Sequence, residues 1–192
     1  MIEVIATEIP GVFLLEPRVF GDNRGYFMES FNLREFSQKT GQSPVFVQDN
    51  ESSSRYGVVR GLHFQKGKSC QAKLVRVVKG SVLDVAVDIR SGSPTYGRHF
   101  GAVLSGENHR MLYIPRGFAH GFSVLSESVV FQYKCDNYYD PSSEGGIAWN
   151  DPDIGIDWMI PAEDAVLSAK DSDRIRLRDL DPSDTGFVYG KI

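Results

Sequence analysis

From Gly80 to Ile89 the chain alternates by parity: Leu83, Val85, Val87 and Ile89 fall on one side, Asp84 and Asp88 on the other. That period of two predicts a strand with one apolar face and one wet face. Similar stretches run over Val12–Leu15, Gly25–Phe31, Val45–Gln48, Ala72–Val78, His99–Leu104, Arg110–Ile114, Phe118–Leu125 and Ser128–Asp136. Turn residues separate them at Lys79-Gly80, Ser91–Pro94, Ser105–Asn108 and Pro115–Gly117. Helical signals are scarce. Asn32 followed by Glu35 at the third position predicts a capped helix that Gly41 would close, and another helical turn is expected near the C-terminus. About ten short strands with regular turns predict an all-β sandwich or jelly-roll barrel with a few short helices, not alternating βαβ units. Residues 1–192 read as one domain, and the stretch from Asp151, richer in Asp and Pro, as a loop-rich extension packed on the barrel.

Composition narrows the classes. With 41% hydrophobic and 11% aromatic residues in 192, the chain is predicted to fold rather than stay disordered. No apolar run approaches the ~18 residues of a membrane span, and Met1–Ile5 has neither the basic start nor the apolar run of a signal peptide. Twenty-one Lys and Arg against twenty-five Asp and Glu leave a net charge of −4, which argues against a nucleic-acid polymer as partner. A local anion site stays open, because net charge does not locate the arginines. Cys70 and Cys135 are too few for a disulfide framework and lack metal-type spacing. The expectation is a soluble, cytoplasmic domain.

Pro115-Arg-Gly-Phe-Ala-His120 matches the second metal motif of cupin barrels, in which a neutral imidazole is a natural ligand. The first cupin motif, His-x-His followed by Glu, is not matched: Gly61-Leu-His63-Phe-Gln65 carries one histidine and no such glutamate. The chain has four histidines in all, His63, His99, His109 and His120, so a barrel without a metal is the better reading. Such a pocket suits proton transfer next to a carbonyl, which needs a base, an acid and a donor for the oxyanion. Lys73 shares parity with Val75 and Val77, and Tyr133 with Val129, Phe131 and Cys135, so an ammonium and a phenol are predicted on apolar faces. Each has a bland alternative. His63 alone reads as a hydrogen-bonded core histidine, Tyr133 as a core tyrosine with its hydroxyl at a rim, Lys73 as a lysine reaching solvent, and Arg24 and Arg60 as surface arginines. No spacing pairs Asp171 with His63.

The segments Phe46–Asn50, Val59–Gln65, Lys73–Gly80, Asp84–Arg90, Tyr113–Phe122, Tyr133–Tyr139 and Ile147–Asp153 together resemble the dTDP-4-dehydrorhamnose 3,5-epimerase family, in order from about residue 2 to residue 180. The resemblance implies a cofactor-free, cupin-like isomerase acting on a dTDP-4-keto-6-deoxy sugar nucleotide. It makes His63 the base for C3 and C5, Asp171 its carboxylate partner, Tyr133 the acid on the opposite face, and Lys73 the group that stabilises the C4 enolate. For binding it implies Arg24 and Arg60 on the diphosphate, where a guanidinium fork suits phosphate oxygens. Phe27, Glu29, Gln48, Asp49 and Asn50 would contact nucleotide or sugar, His120 would line the sugar pocket, and Glu144 and Lys170 would complete the shell. Tyr139 would stack on the thymine, with Tyr138 an alternative one residue away. It also implies a homodimer whose N-terminal strands cross to the partner, so Arg24 and Glu29 would serve the other subunit's site.

One departure stands out: many relatives carry His-Ser-Arg/Lys-Ser after the matching Asn, whereas Glu51-Ser52-Ser53-Ser54 follows Asn50. Three other readings stay open: an epimerase that inverts only C3 or only C5, a metal-dependent cupin enzyme with His120 as ligand, and a non-catalytic sugar-nucleotide-binding module.

Overall fold

A computed structural model describes residues 1–192. In chain order its strands are β1 (Ile2–Ala6), β2 (Phe13–Pro17), β3 (Val19–Asp22), β4 (Gly25–Met28), β5 (Gln48–Arg55), β6 (Val59–Gln65), β7 (Lys73–Lys79), β8 (Ser81–Asp88), β9 (His99–Ser105), β10 (Met111–Ile114), β11 (Phe118–Val124), β12 (Ser128–Cys135) and β13 (Glu144–Gly146). Three short helices join them: α1 (Leu33–Thr40), α2 (Ala169–Ser172) and α3 (Pro182–Thr185). One sheet has the order β1-β2-β10-β7-β12-β5, a second β13-β6-β11-β8-β9, and β3 and β4 form a separate hairpin. Neighbouring strands are antiparallel throughout.

Antiparallel sheets therefore dominate a mixed α/β arrangement, and neither sheet closes on itself. Of the sandwich or jelly-roll barrel expected from the strand pattern, the two packed antiparallel sheets are present and a closed barrel is not, since edge strands β5 and β13 do not pair with each other. Between the sheets, Val75, Val77, Leu112 and Phe131 pack against Val82, Ala86, Phe122 and Val124. Two further apolar layers lie outside. Phe36 of α1 is fully buried against Tyr113, Leu74 and Met111 on the outer face of the six-stranded sheet. Beyond the five-stranded sheet, Ile154, Trp158, Leu177, Leu180 and Phe187 of the loop-rich extension cover Leu83, Val85 and Val87.

That outer cover corrects the reading of β8. Its aspartates do not face solvent: Asp84 and Asp88 are fully buried, because the parity of Leu83 faces the extension and the parity of Asp84 faces the interior between the sheets. Two other departures have local causes. β5 begins where the apolar stretch Val45–Gln48 ends, and its sequence QDNESSSR contains no apolar residue for an alternation to register. β6 and β13 are interrupted by glycines. The helix at Asn32 forms as expected, with the Glu35 amide donating to the Asn32 side chain at 3.2 Å and Gly41 closing it at φ 72°. No helix is long and apolar enough to cross a membrane.

Candidate active site

Strict alternation along Val59-Arg60-Gly61-Leu62-His63 would put Arg60 and His63 on opposite faces. They line the same pocket because β6 carries an extra residue against β11: His63 pairs with His120, whereas Arg60 pairs with Phe122. Gly61 makes this possible. Its φ is 137°, and a Cβ there would lie 2.5 Å from the Gly121 Cα, so a side chain would push β6 off β11.

His63 Nε2 lies 2.5 Å from Asp171 Oδ1. The carboxylate is buried in α2, whose N-cap Ser168 accepts from the Asp171 amide at 3.1 Å. Burial works against its ionisation, but the contact with His63, then Ser168 and the neighbouring Arg174, outweigh it and hold Asp171 below the usual carboxylate range. One strand away, His120 Nε2 lies 2.9 Å from Asp84 Oδ2 in the interior. Burial lowers His120 despite Asp84, keeping this imidazole neutral at pH 7.

The facing sheet supplies the phenol and the ammonium. Lys73 on β7 and Tyr133 on β12 both point inward, with the Lys73 Nζ 5.9 Å from the centre of the Tyr133 ring. Burial pushes Lys73 below the ordinary lysine range and Tyr133, with help from Cys135, above that of a free phenol. The Cys135 thiol, also on this wall, is pushed up by burial to about 11.

These side chains surround a cavity of about 650 Å³ between the sheets. Gln48, Asn50 and Arg60 reach it from β5 and β6, Tyr139 from the loop after β12, Glu144 from β13 and Lys170 from α2. Glu144 is the hub there. Tyr139 Oη donates to Oε2 at 2.8 Å, Arg174 Nη2 donates to Oε1 at 2.6 Å, and Lys170 Nζ also contacts Oε2. Burial opposes ionisation, yet these donors hold Glu144 at about 2. Of the adjacent tyrosines, Tyr139 lines the pocket, whereas Tyr138 is 67% exposed and does not.

Four of the sequence-derived candidates lie elsewhere in the single chain. Asp49 points to the opposite face of β5, because only the parity of Gln48 and Asn50 faces inward, and it pairs there with Lys134 Nζ at 2.9 Å. Ser53, the departure in the Glu51–Ser54 run, shares that outer parity. Arg24 sits on the β3–β4 hairpin with its side chain 85% exposed and paired to Asp22. Phe27 is 67% exposed on the same hairpin. Glu29 accepts from the N-terminal ammonium at 3.2 Å and from Asn32. Sequence reasoning missed Asp84, Ser168 and Arg174. The apparent wet face of β8 hid Asp84, and the other two sit in loop-rich sequence without periodicity. No group of three or more His, Cys, Asp or Glu side chains is placed to hold a metal ion.

An imidazole–carboxylate pair on one wall, with a phenol and an ammonium on the other, is the residue set of an enzyme that moves protons at carbon. The family model for dTDP-4-dehydrorhamnose 3,5-epimerase matches residues 6–179. The dTDP-4-dehydrorhamnose 3,5-epimerase of Salmonella typhimurium is 56% identical over 172 residues, 90% of this chain and 93% of that protein. That of Escherichia coli K12 is 53% identical over 92% of this chain and 95% of its own. The crystal structure of the dTDP-6-deoxy-D-glucose-3,5-epimerase from Legionella pneumophila, in complex with dTDP-4-keto-L-rhamnose, superposes with a TM-score of 0.94 at 46% identity, covering 98% of this chain and 99% of that one. The chain belongs to the dTDP-4-dehydrorhamnose 3,5-epimerase family.

Proposed function

We propose that this chain inverts C3 and C5 of dTDP-4-dehydro-6-deoxy-D-glucose to give dTDP-4-dehydro-L-rhamnose, without a cofactor, in a cupin-like jelly-roll domain spanning residues 1–192. The observation that carries the reading is the placement of His63–Asp171 and Tyr133 on opposite walls of one pocket, with Lys73 beside the phenol. Inversion requires a proton to leave one face of the carbon and another to arrive on the opposite face.

C3 and C5 both flank the C4 ketone, so removing either proton leaves an enolate. His63 takes the proton on its second ring nitrogen, and Asp171 stabilises the imidazolium that forms. Lys73 meets the negative charge on the C4 oxygen, an interaction that strengthens as the charge develops. Tyr133, kept protonated by burial, then delivers a proton from the other wall. His120, fixed by Asp84, shapes the sugar pocket. The nucleotide side falls to Gln48, Asn50, Arg60, Tyr139, Glu144 and Lys170 at the pocket mouth.

Arg24, Phe27 and Glu29 fit this scheme through a homodimer in which the exposed β3–β4 hairpin of one protomer reaches the other's pocket, where Arg24 would meet the diphosphate. The hairpin's Phe20, Tyr26 and Phe27 are all exposed, which supports its burial against a second copy. Incubating the dTDP-4-keto sugar with the protein in deuterium oxide and reading C3 and C5 by proton NMR tests the reaction. Deuterium is expected at both carbons. Incorporation at one carbon alone would make the protein a single-position epimerase.

A further inference from the structure

We propose that Arg174 is a positioning residue that holds Asp171 against His63 by tying α2 to β13. The inference rests on the epimerase reading above.

Arg174 lies just beyond α2, three residues after Asp171, and does not line the pocket. Its side chain is 13% exposed. The guanidinium reaches β13, where Nη2 donates to Glu144 Oε1 at 2.6 Å. On the way it crosses Gly146, whose missing side chain is the space it occupies: a Cβ there would lie 2.7 Å from Arg174 Nε and 2.9 Å from Cζ. Gly146 is also the residue that pairs with His63 across β13 and β6. The planar cation therefore passes behind the strand position of the base, linking the segment that carries Asp171 to the sheet that carries His63.

Backbone bridges hold the chain on either side of α2, at Val166 against Val58 and at Ile175 against Ile147, and between them Arg174 is the buried side-chain tie to β13. The helix α2 is a single turn of four residues, capped by Ser168, and so short a helix has little stability of its own. The Lys170 contact with Glu144 is at the pocket mouth with its side chain 57% exposed, where solvent weakens an ion pair. Arg174 offers the buried contact to the same carboxylate. Its Nε is buried without a hydrogen-bond partner, so the group is held by the Glu144 bond and the fit over Gly146 rather than by a saturated network.

The test compares Arg174→Met, which keeps most of the packing volume, with Arg174→Lys, which keeps the charge. Each is measured for kcat and KM with the dTDP-4-keto sugar, and by proton NMR for the downfield resonance of the His63–Asp171 hydrogen bond. For Arg174→Met a loss of about tenfold in kcat is expected, with KM within about twofold and the resonance shifted or broadened. For Arg174→Lys the expected kcat loss is about threefold, because an ammonium still reaches Glu144 but lacks the planar fork. A folded variant of either kind with the parent kcat and an unshifted resonance would overturn the proposal. Should Arg174→Met fail to fold, the Lys variant decides by the same two readouts. The unsubstituted protein is the control for the reaction itself: absence of C3 and C5 exchange there would count against the epimerase reading and not against the role of Arg174.

Discussion

His63 and His120 are direct cross-strand partners, and each imidazole is bound by a carboxylate from a different element. Asp171 of α2 holds the first at 2.5 Å, and Asp84 of β8 holds the second at 2.9 Å. The two pairs differ in setting. Both imidazoles line the cavity, but the His63 side chain is 32% exposed and that of His120 only 8%, where burial favours neutral imidazole. The first imidazole is thus paired at the accessible end of the site, and the second is fixed in the buried part of it.

Replacing His63 with Ala removes the group that would take both protons. Exchange at C3 and at C5 is expected to fall together by about 10²–10⁴-fold. Deuterium incorporation followed by proton NMR reads both positions in one experiment, and persistent exchange at either carbon would exclude His63 as the common base.

Tyr133→Phe keeps the ring and its packing on Phe131 while deleting the hydroxyl. Abstraction should continue and reprotonation from the opposite wall should fail. The expected result is deuterium exchange with little inverted product, and a variant that still forms the inverted sugar at the parent rate would remove Tyr133 from the acid role.

Glu144 is ionised at about 2 in the folded chain, against about 4.3 for an ordinary glutamate. A carboxyl depressed by folding stabilises the native state above its unfolded value, and that stabilisation is lost as pH falls toward the folded value. Glu144→Gln should therefore melt below the parent at pH 7. The gap in Tm should narrow as pH falls through about 4 and close near about 2. A gap independent of pH would mean that the carboxylate charge is not what matters.

At Gly61 a methyl group would meet the Gly121 Cα at 2.5 Å, in a backbone conformation that L side chains rarely adopt. Gly61→Ala is expected to cost about 2–4 kcal/mol in denaturant unfolding. It should also disturb the extra residue that brings Arg60 and His63 to one face. Parent-like stability would show that β6 and β11 can separate at no cost.

The proposed homodimer yields a complementation test. If Arg24 serves the partner's site, the chain with His63→Ala and the chain with Arg24→Ala are each inactive alone. Mixed dimers then contain one intact site, and random mixing should recover about a quarter of the parent activity. No recovery on mixing would place Arg24 outside the partner's site.

Alternation alone was sufficient to assign Lys73 and Tyr133 to inward faces, because β7 and β12 are regular strands with an apolar side between the sheets. The Asn32–Gly41 helix was legible from its caps for the same local reason. The family likeness carried the residue set of the site. Local pattern could not show what lies on the far side of a strand: β8 looked half-wet until the extension covered its outer face and turned Asp84 and Asp88 into interior groups. Nor could it reveal the extra residue in β6, which reverses the facing of Arg60, or the hydrogen bonds that bring Asp171 to His63 and Arg174 to Glu144. Strand period and helix caps are set by residues a few positions apart, so they are written in the sequence. Which carboxylate meets which imidazole depends on packing between distant segments, and only the folded chain decides it.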